Sequence, residues 1–242
     1  MQIRMVGATD IGRRRKVNQD SLYYDEASGF GVVADGIGGR SGGEIASSLA
    51  VNGLRKAFMN CEKIRHEEVA PFLISNIDRI NGEILERGRR DPEVNGMGTT
   101  LNGLMFVGDK LYIAHVGDSR SYLYYKKHLF QLTLDHNVGI YVERGWLPKT
   151  AIQPGAKEGA LVRAMGLTEK CDVDIYEVDL IPGSLFITCS DGLSGMIEDR
   201  RMAQLVTENL DQFEKLPKVL IDAANANGGK DNITVIVSLV RG

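Results

Sequence analysis

A chain of 242 residues that is 43% apolar and 25% charged can bury a full core, which excludes both a disordered chain and a disulfide scaffold. A net charge of −3 argues against a general nucleic-acid binder, although Arg13–Lys16 forms one local basic run. The three cysteines, Cys61, Cys171 and Cys189, form no CxxC pair and fit a reducing compartment. No apolar leader opens the chain and no stretch reaches the roughly 18 apolar residues of a membrane span, so a cytoplasmic protein without a membrane partner is expected.

Strand signals come first, over Ile3–Ala8, Ser21–Tyr24 and Phe30–Ala34. Helices follow over Gly43–Phe58 and Glu67–Arg89. In the second, Val69, Leu73, Ile77, Ile80, Ile84 and Leu85 repeat at near-helical spacing and mark one apolar face. Four strands form a meander over Thr100–Val107, Lys110–Val116, Ser121–Tyr125 and His128–Leu132. Two-residue turns join them at 108–109 and 126–127, the Gly-Asp pair fitting better than the Lys-Lys pair. A short helix is expected over Asn137–Arg144. Residues 145–162 hold two prolines and three glycines with little periodicity, and read as an exposed flap. Strands return at Asp172–Val178 and Ser184–Cys189. Two helices, Glu198–Asn209 and Gln212–Asn225, precede a last strand over Asn232–Val240, with Ile233, Val235, Val237 and Leu239 on one face. Strands and helix pairs do not alternate strictly, so antiparallel sheets with segregated helix layers fit better than a doubly wound parallel sheet.

Acids recur at the strand ends. "VVADG" carries Asp35-Gly36, "AHVGDSR" carries Asp118, "FITCSDG" carries Asp191-Gly192, "GGKDN" carries Asp231, and "RKVNQD" puts Asp20 before the second strand. A single Asp-Gly after a strand is an ordinary turn. Several around one core repel one another unless a cation joins them, and oxygen-only ligands select Mg²⁺ or Mn²⁺ over zinc. Gly39–Gly43 formally matches G-x-S-x-G, so a triad of Ser41, Asp118 and His136 can be drawn. That motif needs its strand to run straight into the serine, and here the strand ends about six residues earlier. No Gly-Lys-Ser/Thr follows, which excludes a P-loop. Among His66, His115, His128 and His136, no two have metal-ligand spacing, and His115 reads as a satisfied core histidine.

Eight segments in this order resemble the metal-dependent protein serine/threonine phosphatases of type 2C, in their small bacterial stand-alone form. They are "TDIGRRRKVNQDS", "VVADGIGG", "GMGTTL", "AHVGDSRSYL", "LTLDHN", "LVRAMG", "ITCSDGL" and "GGKDNITVIVSLV", and they span residues 9–240. The resemblance implies one catalytic domain over residues 1–242. Its fold would be α+β, a four-layer αββα sandwich of two antiparallel sheets flanked by helix pairs, with the flap inserted at 145–162.

It also implies the site. Asp35 would bridge two Mn²⁺ or Mg²⁺ ions, and the Gly36 carbonyl would bind the second. Asp191 and Asp231 would complete the first ion's shell, and Asp20 would hold the metal edge or its water. Asp118, with Asp191, would take a third, weaker ion. Arg15 would clamp the substrate phosphate, while Arg13 and Arg14 read as solvated charges. The implied reaction is direct attack on phosphoserine or phosphothreonine by a hydroxide bridging the metals, without a phosphoenzyme. Partners would be phosphoprotein substrates and an opposing serine/threonine kinase, with the enzyme a monomer.

Three positions depart from the family pattern. Ile37 stands where animal members carry histidine, so the implied proton donor is metal-bound water. Arg40 replaces a histidine usual in bacterial relatives and is a candidate phosphate contact. Gln19 stands where glutamate is common. In the flap, Trp146, Lys149 and Lys157 are candidate protein contacts. A catalytically dead relative that only binds phosphoproteins is the main rival, and the full set of aspartates opposes it.

Overall fold

The structure, a computed structural model, describes residues 1–38, 42–61, 64–151 and 158–242. Two antiparallel sheets pack face to face. The first contains β1 (Gln2–Asp10), β7 (Arg120–Tyr125), β8 (His128–Gln131), β10 (Leu185–Cys189) and β11 (Ile233–Arg241), in the order β1-β11-β10-β7-β8. The second contains β2 (Asp20–Asp25), β3 (Phe30–Ile37), β5 (Leu101–Val107), β6 (Lys110–Val116) and β9 (Asp174–Asp179), in the order β2-β3-β5-β6-β9. The two-residue strand β4 (Gly98–Thr99) pairs with β3.

Period-2 alternation divides each strand between two layers. On β3, Phe30, Val32 and Ala34 pack with helices α1 (Gly43–Met59) and α2 (His66–Arg90) on the outer face of the second sheet. Val33 points the other way and meets Met5 and Ile236 between the sheets. On β11, Ile233, Val235 and Val237 pack with α5 (Asp199–Glu208) and α6 (Leu216–Ala226) on the outer face of the first sheet. Leu104, Ile113, Phe186 and Val240 continue the central layer. The expected αββα arrangement is present.

Helix α2 runs 25 residues despite Pro71, which cannot donate a backbone hydrogen bond. Its buried face of Val69, Leu73, Ile77, Ile80 and Ile84 outweighs that loss, each such side chain contributing about 1.5–3 kcal/mol on burial. Both expected hairpin turns form, Val107 pairing with Lys110 and Tyr125 with His128. Lys126 and Lys127 adopt φ of 50° and 66°, so the turn residues accept a conformation that glycine or asparagine takes more readily.

Several boundaries differ from expectation. Strand β3 continues past Ala34 to Ile37, so Asp35 lies inside the ladder rather than in a loop. The last helix starts at Leu216, not Gln212, because Pro217 fits only a first turn. Leu210–Lys215 ahead of it is a 3-10 segment kinked at Gln212. A single turn, α4 (Asp191–Ser194), and strand β4 carry too few residues for a periodic signal. Of the expected flap, residues 152–157, Lys157 among them, lie outside the described residues. Helix α3 (Val138–Glu143) precedes it, and a bridge between Asn137 and Leu161 closes its base. Trp146 stacks edge-on against Tyr141, with ring centroids 5.1 Å apart.

Ile77 is fully buried between α2 and the second sheet. Ile77→Ala should destabilise the fold by about 2–4 kcal/mol in urea unfolding, with an unchanged m-value.

Candidate active site

The same alternation that sends Val33 between the sheets sends Asp35 there, past the end of the apolar layer. Its cross-strand partner is Asp20. Opposed residues of an antiparallel pair share a face, so two carboxylates confront each other across neighbouring strands. The first sheet adds two more: Asp191 heads α4 directly after β10, and Asp231 precedes β11. Asp118 lies in the turn between β6 and β7.

Arg15, Asp35, Gly36, Asp118, Asp191 and Asp231 line one cleft of 420 Å³ at this end of the sandwich, and Asp20 lies buried beside it. A larger cleft of 630 Å³ near the N-terminal residues gathers only Asp25 and Glu26, so charge rather than size singles out the smaller one. Arg40 and Ser41 lie outside the described residues.

The frame around Asp35 is tightly bonded. Its N–H donates to Thr100 Oγ1 at 2.9 Å, and its carbonyl accepts from the Thr100 N–H and from Thr99 Oγ1, both at 2.9 Å. Thr100 Oγ1 in turn meets Ser119 Oγ at 2.7 Å. Each Asp-Gly pair has a packing reason beyond its turn. A Cβ on Gly36 would lie 2.0 Å from the Gly43 carbonyl oxygen, and one on Gly192 would lie 1.9 Å from that of Asn232. No side chain fits at either place, because another stretch of backbone already approaches that closely.

Burial sets the electrostatics. It pushes the Asp20 carboxyl up to about 7, with Asp191 and Asp231 adding to the rise. Asp35 is raised well above the usual carboxylate range by burial and then by Asp20, Asp191 and Asp231. Burial and Asp191 raise Asp118 to about 7, and burial and Asp231 raise Asp191. Arg15 donates to Asp231 Oδ2 at 2.5 Å, and this bond holds its guanidinium more firmly charged.

Ser190 Oγ donates to Asp20 Oδ2 at 2.7 Å, yet Asp20 Oδ1 and Asp191 Oδ1 are buried with no hydrogen-bond partner. A buried orphaned oxygen costs about 1–3 kcal/mol, more when charged. Among the described residues, no three acidic, histidine or cysteine side chains stand close enough together to hold a metal ion as they are placed. The carboxylates instead form an open set whose unpaired oxygens fit a hard divalent cation that would draw them together.

Sequence reading missed the supporting residues. Asn232 Oδ1 accepts from the Gln19 N–H at 2.8 Å, and its Nδ2 donates to the Ile11 and Val17 carbonyls at 2.9 and 3.0 Å. This one side chain ties the Arg15 loop to β11; its position beside Asp231 is the signal that could have found it. The segment carrying Asp118 is clamped from both ends. The Gly117 N–H donates to His136 Nδ1 at 3.1 Å, and Arg120 donates to both oxygens of Asp135 at 2.9 and 2.7 Å. His136 Nε2 donates to Asp174 at 3.0 Å, which leaves neither ring nitrogen to serve a Ser41 triad. His115 is a satisfied core histidine, as expected. Both its nitrogens face oxygens, and burial lowers it to about 3.

The family model for protein phosphatase 2C matches residues 9–227. The serine/threonine phosphatase stp of Listeria monocytogenes is 34% identical over 95% of this chain and 92% of its own length. Protein phosphatase PhpP of Streptococcus pneumoniae is 32% identical over 94% of this chain and 93% of its own. Among solved structures, the S. agalactiae serine/threonine phosphatase superposes with a TM-score of 0.89 at 31% identity, covering 99% of this chain and 100% of that one. The catalytic domain of the phosphatase PstP, in complex with 2 manganese ions, does so at 0.86 and 27% identity, covering 100% of this chain and 99% of that one.

An unfolded aspartate titrates near 3.9, whereas folded Asp20 titrates near 7. Between these values the unfolded chain binds fewer protons, so metal-free stability falls as pH rises through that window. Asp20→Asn should therefore stabilise the protein in EDTA by about 1–3 kcal/mol more at pH 8 than at pH 5. An equal effect at both pH values in urea unfolding would show that the buried charge is not the source.

Proposed function

This chain belongs to the protein phosphatase 2C family and is a protein-serine/threonine phosphatase, and from that premise we propose a metal-dependent hydrolysis of phosphoserine and phosphothreonine in proteins. The observation that carries the reading is the meeting of Asp35, Asp118, Asp191 and Asp231 in one cleft with Arg15 at its rim.

Asp35, Asp191 and Asp231, with the Gly36 carbonyl, would hold two Mn²⁺ or Mg²⁺ ions. Asp20 would support the edge of the pair, and Asp118 with Asp191 would offer a third, weaker position. The two manganese ions of the PstP catalytic domain support the count of two. When bound, such ions acidify a water toward neutral pH and screen the charge on phosphoryl oxygens.

The chain's own residues do the rest. Ser190 holds one oxygen of Asp20, and so fixes the carboxylate at the base of the site. The Thr99 and Thr100 bonds fix the Asp35 backbone, and so the point from which its carboxylate projects into the cleft. Arg15 presents a planar fork that can exchange Asp231 for two oxygens of the substrate phosphate and stabilise charge as the bond breaks. Ile37 has no proton to give, so the leaving alkoxide takes its proton from elsewhere. The enzyme would act as one catalytic domain and a monomer in the cytoplasm, opposing a serine/threonine kinase. No helix among the described residues is long and apolar enough to cross a membrane.

Asp35→Asn and Asp231→Asn should each abolish p-nitrophenyl phosphate turnover at saturating Mn²⁺ while the circular dichroism stays native. Calorimetry should show weakened Mn²⁺ binding in both. Near-normal turnover in either variant would sink the metal assignment.

Arg15→Ala should cost about 2–4 kcal/mol of transition-state stabilisation in kcat/KM, and Arg15→Lys should not restore it, because a point charge lacks the fork. An unchanged kcat/KM in the alanine variant would remove Arg15 from the site.

A further inference from the structure

Arg13, Arg14, Arg15 and Lys16 stand in a row in the loop joining β1 to β2, and all four are exposed. Only Arg15 turns inward, onto Asp231. Among the described residues, Arg13, Arg14 and Lys16 have no salt-bridge partner; Arg55, Arg144, Arg200 and Arg241 share that state one at a time, but here three such cations fall within four consecutive positions. Asp10 lies near Arg13, but its Oδ1 is already taken by Asn225 and the Gly12 N–H. On the other side of Asp231, Lys230 is also exposed and without a salt bridge among the described residues.

The loop is held in place rather than free to swing away. The Arg13 N–H donates to the Gly229 carbonyl at 2.7 Å. Asn232 grips the Ile11 and Val17 carbonyls on either side of the basic run, and Asn18 Nδ2 donates to Thr9 Oγ1 at 2.8 Å. Neighbouring cations repel one another, and a pinned loop cannot relieve that repulsion by spreading. An incoming acidic group can. A polyanion with no phosphomonoester would also meet the four aspartates of the cleft, so the basic loop adjoining Arg15 suits a ligand whose phosphate enters while its acidic flanks stay outside.

We propose that this loop selects phosphopeptide segments in which acidic side chains flank the phosphorylated serine or threonine. The proposal rests on the hydrolytic reading of the adjacent cleft. Arg15 engages the phosphate, and Arg13, Arg14 and Lys16 engage the flanking carboxylates.

The test compares two phosphothreonine peptides of equal length, one with glutamates and one with glutamines around the phosphothreonine. p-Nitrophenyl phosphate, which has no flanks, serves as the third substrate. With Mn²⁺ at low salt, the wild-type protein should favour the glutamate peptide by about 5- to 20-fold in kcat/KM, mostly through KM. The preference should shrink in 1 M NaCl, where the screening length falls to about 3 Å. The triple variant Arg13→Ser, Arg14→Ser, Lys16→Ser should lose the preference and keep p-nitrophenyl phosphate turnover. Arg14→Glu, which alters one exposed side chain, should tilt the choice toward the glutamine peptide. A wild-type protein without preference, or a preference that survives in the triple variant, overturns the proposal. Absence of p-nitrophenyl phosphate turnover by the wild type overturns the hydrolytic reading itself.

Discussion

Asp20 and Asp35 face each other across neighbouring strands while Asp191 and Asp231 add charge from the opposite sheet, and the whole end of the sandwich is built around that repulsion. Without a counter-cation the arrangement works against folding. Burial and mutual repulsion push protons onto Asp20, Asp35 and Asp191, and two buried oxygens have no hydrogen-bond partner. The rest of the fold must supply enough stability to hold these groups together. The helix-flanked layers do so, with Phe30, Leu73, Ile77 and Ile84 on one side and Ile187, Leu220 and Val235 on the other, all fully buried.

Rigidity around the acids comes from neutral hydrogen bonds rather than from further charges. Thr99, Thr100 and Ser190 are buried small hydroxyl residues that bond backbone or carboxylate atoms without adding to the repulsion, and the buried Ser119 hydroxyl supports that of Thr100. Charged partners are placed further out. Arg120 is pinned on Asp135, and Arg15 is exposed at the rim. A cation from the protein set deep among the aspartates would compete with a bound divalent ion. At the rim, the same charge can move between Asp231 and a phosphate.

Function is thereby divided by depth. The floor is acidic, Arg15 stands at the rim with the rest of the basic loop beside it, and Asn232 connects the two. It is the neighbour of Asp231 in sequence, and its side chain holds both ends of the basic loop. Movement of that loop is therefore mechanically linked to the strand start that carries a floor carboxylate.

Much of this is legible in the amino-acid sequence alone. The Val-Ala-Asp-Gly and Cys-Ser-Asp-Gly strand ends and the helical period of Val69–Ile84 are local patterns with local physical causes and point to candidate acids and segregated helix layers, whereas the family, and through it the αββα sandwich, is read from the resemblance of eight ordered motifs. Pairings between distant residues are decided only by the tertiary structure. Strand β3 runs on to Ile37 because β2 pairs with it as far as Asp35, opposite Asp20, and β4 then pairs Gly36 and Ile37 with Thr99 and Gly98, which no local pattern around Asp35 encodes. Gly36 and Gly192 are glycines because Gly43 and Asn232 backbone atoms occupy the space a Cβ would need. Arg13, Arg14 and Lys16 read in sequence as ordinary solvated charges. Only the fold shows that they lack salt-bridge partners among the described residues and are pinned at the mouth of an acidic cleft, because the residues that pin them, Gly229 and Asn232, lie more than two hundred positions away in the chain.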